Sequence, residues 1–186
     1  MDQFYISKVV AGDTNAFRYL VNKYKDVMLA TAYRIIKDKS LAEDILQDAF
    51  LNAYKNLKGF KGQAKFSTWL YKIVVNEAIK KIRKGEHLKE NYSSESVELT
   101  DFELNNSLKG IKAKEQTYYI DKTFEQMPSR EALVLQLFYL DELSLKEVAE
   151  IMQLKADHVK VLLYRARNQF YKTLANELKH EVKSLI

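Results

Sequence analysis

Between Phe60 and Lys84 the chain carries four aromatic residues, Phe60, Phe66, Trp69 and Tyr71, among seven Lys/Arg, with Glu77 as the single acid. Cationic side chains neutralise phosphate along a nucleic-acid backbone, and aromatic faces accept bases that have left the stack. The combination suits nucleic acid whose bases are unpaired. A core helix with a solvated lysine face has the same composition, so both readings stand at this level. A second basic segment runs from Lys155 to Lys172, with five Lys/Arg and one acid, Asp157. With Val159, Leu163, Ala166 and Phe170 turned inward, Lys160, Tyr164, Arg165 and Arg167 point largely outward. Arg165 then suits guanine acceptors in a major groove, while Lys160 and Arg167 suit phosphates. The bland counterpart is a helical hairpin with a solvated cationic face.

Other chemistries find little support. There is no cysteine, which excludes disulfides, thiolate metal sites and thiol catalysis. His87, His158 and His180 have no ligand spacing, and no glycine-rich phosphate loop or acid/base constellation stands out. No catalytic residue, metal or cofactor is expected. The net charge of +5 and pI near 9.1 favour an anionic partner. Met1–Val10 lacks the basic start and apolar run of a signal peptide, and no apolar run approaches a membrane span. A soluble, cytoplasmic protein without membrane insertion is expected.

The elements that must position these residues read as helices, with no convincing strand. Phe17, Leu20, Val21, Tyr24, Val27, Met28 and Ile35 form one apolar stripe. Ser40-Leu41-Ala42-Glu43 reads as a capping box, followed by a second stripe from Ala42 to Leu57 that Gly59 ends. Ser67 or Thr68 is placed to cap a third helix carrying Leu70, Ile73, Val74 and Ile82. Three such helices must bury their faces together, giving a bundle over residues 1–84. Six acids and one base lie between Glu86 and Glu103, which predicts a flexible acidic linker over 85–112. Beyond it, a helix over Ala113–Met127 leads to Pro128, and Ser129 is placed to cap an apolar helix through Leu140. Ser144-Leu145-Lys146-Glu147 is a second capping box, opening a short helix. The next helix begins near Asp157. A short capped helix, a tight turn and a longer basic helix make a helix-turn-helix within residues 113–186. Its turn, Gln153-Leu154-Lys155, lacks glycine.

Two regions of the chain, in order, resemble those of a known family. Phe60-Lys61-Gly62-Gln63-Ala64-Lys65-Phe66-Ser67-Thr68-Trp69-Leu70-Tyr71-Lys72-Ile73-Val74-Val75-Asn76 resembles region two of bacterial extracytoplasmic-function (ECF) sigma factors. Ala42 to Phe50 resembles the polymerase-binding helix of that region, and Pro128 to Arg167 is similar to region four. The resemblance implies an all-α protein of two small helical domains, the region-two bundle and the region-four helix-turn-helix, joined by the acidic linker. It implies that Asp44, Gln47, Asp48 and Leu51 meet core RNA polymerase at the clamp helices of its largest subunit. The flap of the polymerase is a further expected partner. Phe60, Lys61, Gln63, Ala64, Lys65, Phe66, Trp69, Lys72, Asn76, Lys80 and Arg83 would take the melted minus-ten strand, Trp69 being as well suited to core packing. Lys81 would hold backbone phosphate beside them. His158, Lys160, Val161, Tyr164, Arg165 and Arg167 would read the minus-thirty-five duplex. An anti-sigma partner is implied by the same likeness, as is an acidic linker that lies in the RNA channel of the polymerase until transcript arrives.

The chain departs from the family pattern at Val161 and Leu162, where a small hydroxyl residue and an arginine are usual, and at Asp157-His158, where Gly-Thr is usual. Either Val161 or Leu162 packs inward, or the reading helix shows DNA an apolar patch. The expected function is to direct core polymerase to promoters and help open them, without enzymatic activity. A stand-alone helix-turn-helix regulator and a non-enzymatic helical adaptor are the alternative readings.

Overall fold

The computed structural model describes residues 1–84 and 113–184, so the predicted acidic linker lies outside the described residues. Helices dominate, and no strand occurs among the described residues. The N-terminal module contains α1 (Asp2–Val10), α2 (Ala16–Ile36), α3 (Lys39–Asn56), a 3-10 turn (Leu57–Gly59) and α4 (Phe66–Lys84). The apolar stripes of α2, α3 and α4 converge as their spacing predicts: Leu20, Met28, Ala42, Ile45, Ala49, Ala53, Leu70 and Val74 are all at most 1% exposed. Each such Leu or Ile removed from water contributes about 1.5–3 kcal/mol.

Helix α1 is an element that the three-stripe reading leaves out. It buries only Ile6 and Val9, too short a pattern to register as a stripe. What seats it is polar and aromatic. Tyr5 stacks on Tyr19 with ring centroids 3.7 Å apart, and Asp2 accepts hydrogen bonds from Lys23 Nζ and Tyr24 Oη, each at 2.5 Å. Burial opposes the charge of Asp2, but those two bonds and the Lys23 ammonium outweigh it and hold the carboxyl below its usual range.

Several predicted caps are corrected. Helix α3 starts one residue before Ser40, and the Asp38 carboxylate accepts from Leu41 N at 2.9 Å, so the Ser40 capping box does not form. Aspartate in extended backbone wins because it carries the charge that the helix N-terminus attracts. Gly59 closes the 3-10 turn instead of α3 itself. Ser67 and Thr68 lie inside the first turn of α4, where the Lys65 carbonyl accepts the first intrahelical bond, from Trp69 N at 3.1 Å.

The C-terminal module contains α5 (Ala113–Gln126), α6 (Ser129–Leu135) with a π turn over Gln136–Leu140, α7 (Leu145–Met152) and α8 (Ala156–Ser184). Ser129 does not cap α6. Pro128 holds the entry position, and Ser129 Oγ donates instead to the carbonyl of Ile35 at 2.8 Å. The predicted capping box at Ser144 and Glu147 is fully formed.

That bond from Ser129 to Ile35 belongs to a larger contact between the modules. Their interiors merge into one continuous apolar core, in which Phe124, Met127, Leu133 and Leu137 join the residues of the N-terminal bundle. Polar groups fix its geometry. Gln136 Nε2 donates to Thr31 Oγ1 at 3.0 Å and to Asp141 Oδ2 at 3.3 Å, and the Tyr71 hydroxyl also hydrogen-bonds Asp141. Lys37, in left-handed backbone at φ 55°, donates from Nζ to the carbonyls of Glu125 and Met127 at the end of α5. Arg34 lies over the Phe124 ring, its guanidinium carbon 3.8 Å from the centroid. Burial drives the Asp141 carboxyl above its usual pKa, against the hydrogen bonds from Tyr71 and Gln136 and the charge of Arg34.

Candidate nucleic-acid interface

Residues 60–65 form a short loop between the 3-10 turn and α4, pinned from below by Leu57, which is 2% exposed. Gly62 has φ +68°, a conformation that glycine adopts without steric cost, which explains its place in the loop. Phe60, Phe66 and Trp69 form a ring cluster with centroids 5.3 to 5.8 Å apart, and Tyr24 adds a fourth ring 5.6 Å from Phe66. Phe66 is buried at 4%, so it supports the cluster from beneath, whereas Phe60 and Trp69 are half-buried and present ring area to solvent. Tyr71, counted among the aromatics of this block, is 3% exposed and faces Asp141 instead. Lys61, Gln63 and Lys65 are exposed and Ala64 is half-buried.

Along α4, Lys65 at its entry and Trp69, Lys72, Asn76, Lys80 and Arg83 recur at intervals of three or four residues, which places them on one face. The structure therefore brings the loop and these α4 residues into one basic, aromatic-edged surface. Lys80 also pairs with Glu77 at 3.3 Å, and Lys81 with Asp44 at 3.5 Å.

Beside the C-terminal part of α4, α3 presents Asp44, Gln47, Asp48 and Leu51, all exposed, Leu51 at 57%. Their offsets of three, four and seven residues put them on one stripe. A shallow groove of about 330 Å³ runs beside it, lined by Asp48, Leu51, Asn52, Lys55, Glu77 and Lys80. A surface with an apolar centre and acids at its margin suits a protein partner better than nucleic acid.

In the C-terminal module, Ser144 and Glu147 fix the start of α7. Glu147 N donates to Ser144 Oγ at 3.3 Å, and Ser144 N and Oγ donate to the Glu147 carboxylate at 2.9 and 2.7 Å. Those bonds, with one from Lys65, hold the Glu147 pKa down at about 2. Gln153 makes the turn in left-handed backbone at φ 55°, so the missing glycine is replaced at some conformational cost. Val148, Ala149, Val159, Leu163 and Ala166 fill the shared core. Leu162 packs against that core while Val161 stays 51% exposed, which resolves the apolar pair: one turns inward and one faces out. His158, Lys160, Tyr164 and Arg165 share the exposed side, and Arg167 Nη1 lies 3.4 Å from the Tyr139 hydroxyl.

Comparison with known proteins matches the two modules separately. Residues 20–87 match the Sigma-70 region 2 family model, and residues 118–170 match the Sigma-70, region 4 model. The chain is 34% identical over 178 residues to the ECF RNA polymerase sigma factor SigW of Bacillus subtilis, covering 91% of this chain and 94% of that one. The chain belongs to the ECF RNA polymerase sigma factors. It is also 32% identical to the RNA polymerase sigma-H factor of Pseudomonas aeruginosa, over 93% of each chain. With the ECF RNA polymerase sigma-E factor of Escherichia coli it shares 30% identity, over 89% of this chain and 90% of the relative.

Two solved structures share the fold of this ECF factor. CnrH in complex with the cytosolic domain of CnrY aligns with a TM-score of 0.66 at 19% identity, covering 94% of this chain and 97% of that one. The sigma factor RpoE bound to the anti-sigma factor NepR from Bartonella quintana aligns at 0.62 with 18% identity, covering 86% and 96%.

The motifs do not announce the contact that joins the modules. Glu147, Glu150 and Gln153 meet Lys65, Thr68, Lys72 and Asn76 at α4, and Gln136 joins Thr31 to Asp141. One signal was present in the sequence. Thr31 falls on the otherwise apolar stripe of α2, and Gln136 interrupts the apolar run Ala132–Leu137; both are at most 2% exposed.

Proposed function

We propose that this ECF sigma factor directs core RNA polymerase to specific promoters and helps open them. The observation that carries the reading is the joint presence of two surfaces suited to different forms of one polymer. The α4 surface combines a ring cluster with a row of cations, as an unpaired strand requires. The α8 helix offers an exposed arginine on a supported helix, as a major groove requires.

In this reading residues 1–84 bind the polymerase and the minus-ten strand, residues 85–112 link the modules, and residues 113–186 read the minus-thirty-five duplex. Asp44, Gln47, Asp48 and Leu51 meet the clamp helices of the largest polymerase subunit, and the C-terminal module meets the flap. Phe60 and Trp69 offer ring faces to bases extruded from the melted element, while Lys61, Gln63, Ala64 and Asn76 line the strand. Lys65, Lys72, Lys80 and Arg83 hold its phosphates. His158, Lys160, Val161, Tyr164, Arg165 and Arg167 engage the upstream duplex, the exposed Val161 against thymine methyls. Extruding a base costs a few kcal/mol, which stacking of ~1–3 kcal/mol per base and phosphate contacts offset, so no hydrolysis is needed. The factor acts without enzymatic activity, in the cytoplasm with the polymerase; no described helix is long and apolar enough to cross a membrane. An anti-sigma protein is the proposed antagonist, by analogy with the bound state of the RpoE structure.

Reconstituted transcription on a promoter library tests the function. Core polymerase with this chain should start transcripts at a defined set of promoters that core alone ignores. An identical start-site map with and without the chain would refute it.

A further inference from the structure

One acid stands among the cations of α8. From Lys155 to Lys172 there are five Lys/Arg and a single carboxylate, Asp157. It lies in the first turn of the helix, and its side chain is 89% exposed. Its Oδ1 accepts from Lys160 Nζ at 3.2 Å, and its Oδ2 has no partner among the described residues. An exposed ion pair of this kind adds little stability, so its consequence is orientation: Lys160 holds the carboxylate toward its own side of the helix. That side continues along α8. Val161 is 51% exposed and Tyr164 50%, and Lys160, Val161 and Tyr164 follow Asp157 at offsets of three, four and seven residues. The acid thus leads the stripe assigned to the upstream duplex.

In a helix-turn-helix the N-terminal residues of the second helix meet base edges. An ionised carboxylate there is repelled by phosphates and has no hydrogen to offer the acceptors of guanine. It accepts, and in the major groove the donors are cytosine N4 and adenine N6. Adenine sets N6 beside its N7 acceptor, which would face a carboxylate oxygen acceptor to acceptor. Cytosine presents N4 with no such acceptor on the same base.

We infer that Asp157 is a specificity-determining residue of the upstream contact, its carboxylate accepting from the N4 amine of a cytosine in the major groove. This rests on the assignment of α8 to the minus-thirty-five duplex. The competing role is that of an acid which only suits the positive start of a helix.

The test uses holoenzyme assembled from core polymerase and the full chain, presented with duplex promoters randomised across the upstream element, and the bound fraction is sequenced. The parent should enrich one C·G pair by about fivefold or more, the discrimination of a good base contact. Asp157→Ala should flatten that position and leave the other enriched positions in place. Asp157→Asn, whose amide donates as well as accepts, should move the preference there to adenine. Thermal unfolding of each variant confirms that it folds. An unchanged pattern in Asp157→Ala would overturn the inference and leave the acid its helix-start role. So would a uniform gain in affinity with no change of pattern, which would mark Asp157 as a repulsive neighbour of phosphates. A parent holoenzyme that enriches no upstream position at all would instead refute the assignment of α8 to the duplex, and the inference with it.

Discussion

The two surfaces of this sigma factor proposed to bind DNA are presented differently. The α4 face of the N-terminal module is tied to its neighbour, with Lys65 and Lys72 paired to glutamates of α7 and Asn76 bonded to Gln153, while the Lys65 side chain stays 71% exposed. The α8 face of the C-terminal module is open, with Tyr164 50% exposed and Arg165 free to reach a groove. Under the proposed function the two faces meet different forms of DNA. Duplex DNA presents its edges without being altered, whereas a melted strand exists only once pairing energy has been met. A strand-binding face left open would hold any anionic single strand, and its cations carry no sequence information of their own.

The comparison can be broken most directly at the buried bridge. Gln136→Ala should cost about 1–3 kcal/mol, by leaving Thr31 and Asp141 short of a partner inside the core. Thermal unfolding should show the loss. A variant as stable as the parent would mean that packing alone joins the modules.

At the open face, Arg165→Ala should cost about 1–3 kcal/mol on a cognate upstream duplex. Equal loss on every duplex, read by competition binding, would mark Arg165 as a phosphate contact.

A smaller change is expected on the acidic face of α3. Gln47→Ala with Asp48→Ala should slow capture of core polymerase and weaken its salt dependence, as removal of rim charge does. Both residues are exposed, so thermal stability should hold. Unchanged association in a pull-down across salt concentrations would move the contact elsewhere.

The smallest effect is a pH dependence. The Glu147 carboxyl is held at about 2, well below the ordinary 4.5, by the Ser144 hydroxyl and amide and by Lys65. A depressed carboxylate contributes stability that is complete above about 4.5 and is lost as pH falls toward 2. Unfolding midpoints of the parent should therefore drop across that window, and Glu147→Gln should show a shallower fall. Parallel curves would show that Glu147 adds nothing to the folded state.

Much of this architecture was legible from periodicity. The stripes of α2, α3 and α4, the Ser144–Glu147 box and the inward set Val159, Leu163 and Ala166 rest on contacts within a few residues, which spacing reports directly. The misassigned caps have one cause. Ser40, Ser67, Thr68 and Ser129 have the right side chains, but a cap also needs extended backbone, and Asp38 or Pro128 supplies it one or two residues away at two of the three helix starts. The contact between modules was hidden for another reason. Thr31 and Gln136 are 105 residues apart, and Lys72 and Glu150 are 78 apart. Each reads locally as an ordinary polar residue, so only the fold brings them together. The row of α4 cations was visible in the sequence, but the pairing of Lys65 and Lys72 with α7 was not.

Titrating labelled single-stranded DNA of the minus-ten sequence against the full chain, with and without core polymerase, tests the proposed function most directly. The free factor should bind weakly, with a large gain when core is present. Equally tight binding in both conditions would contradict it.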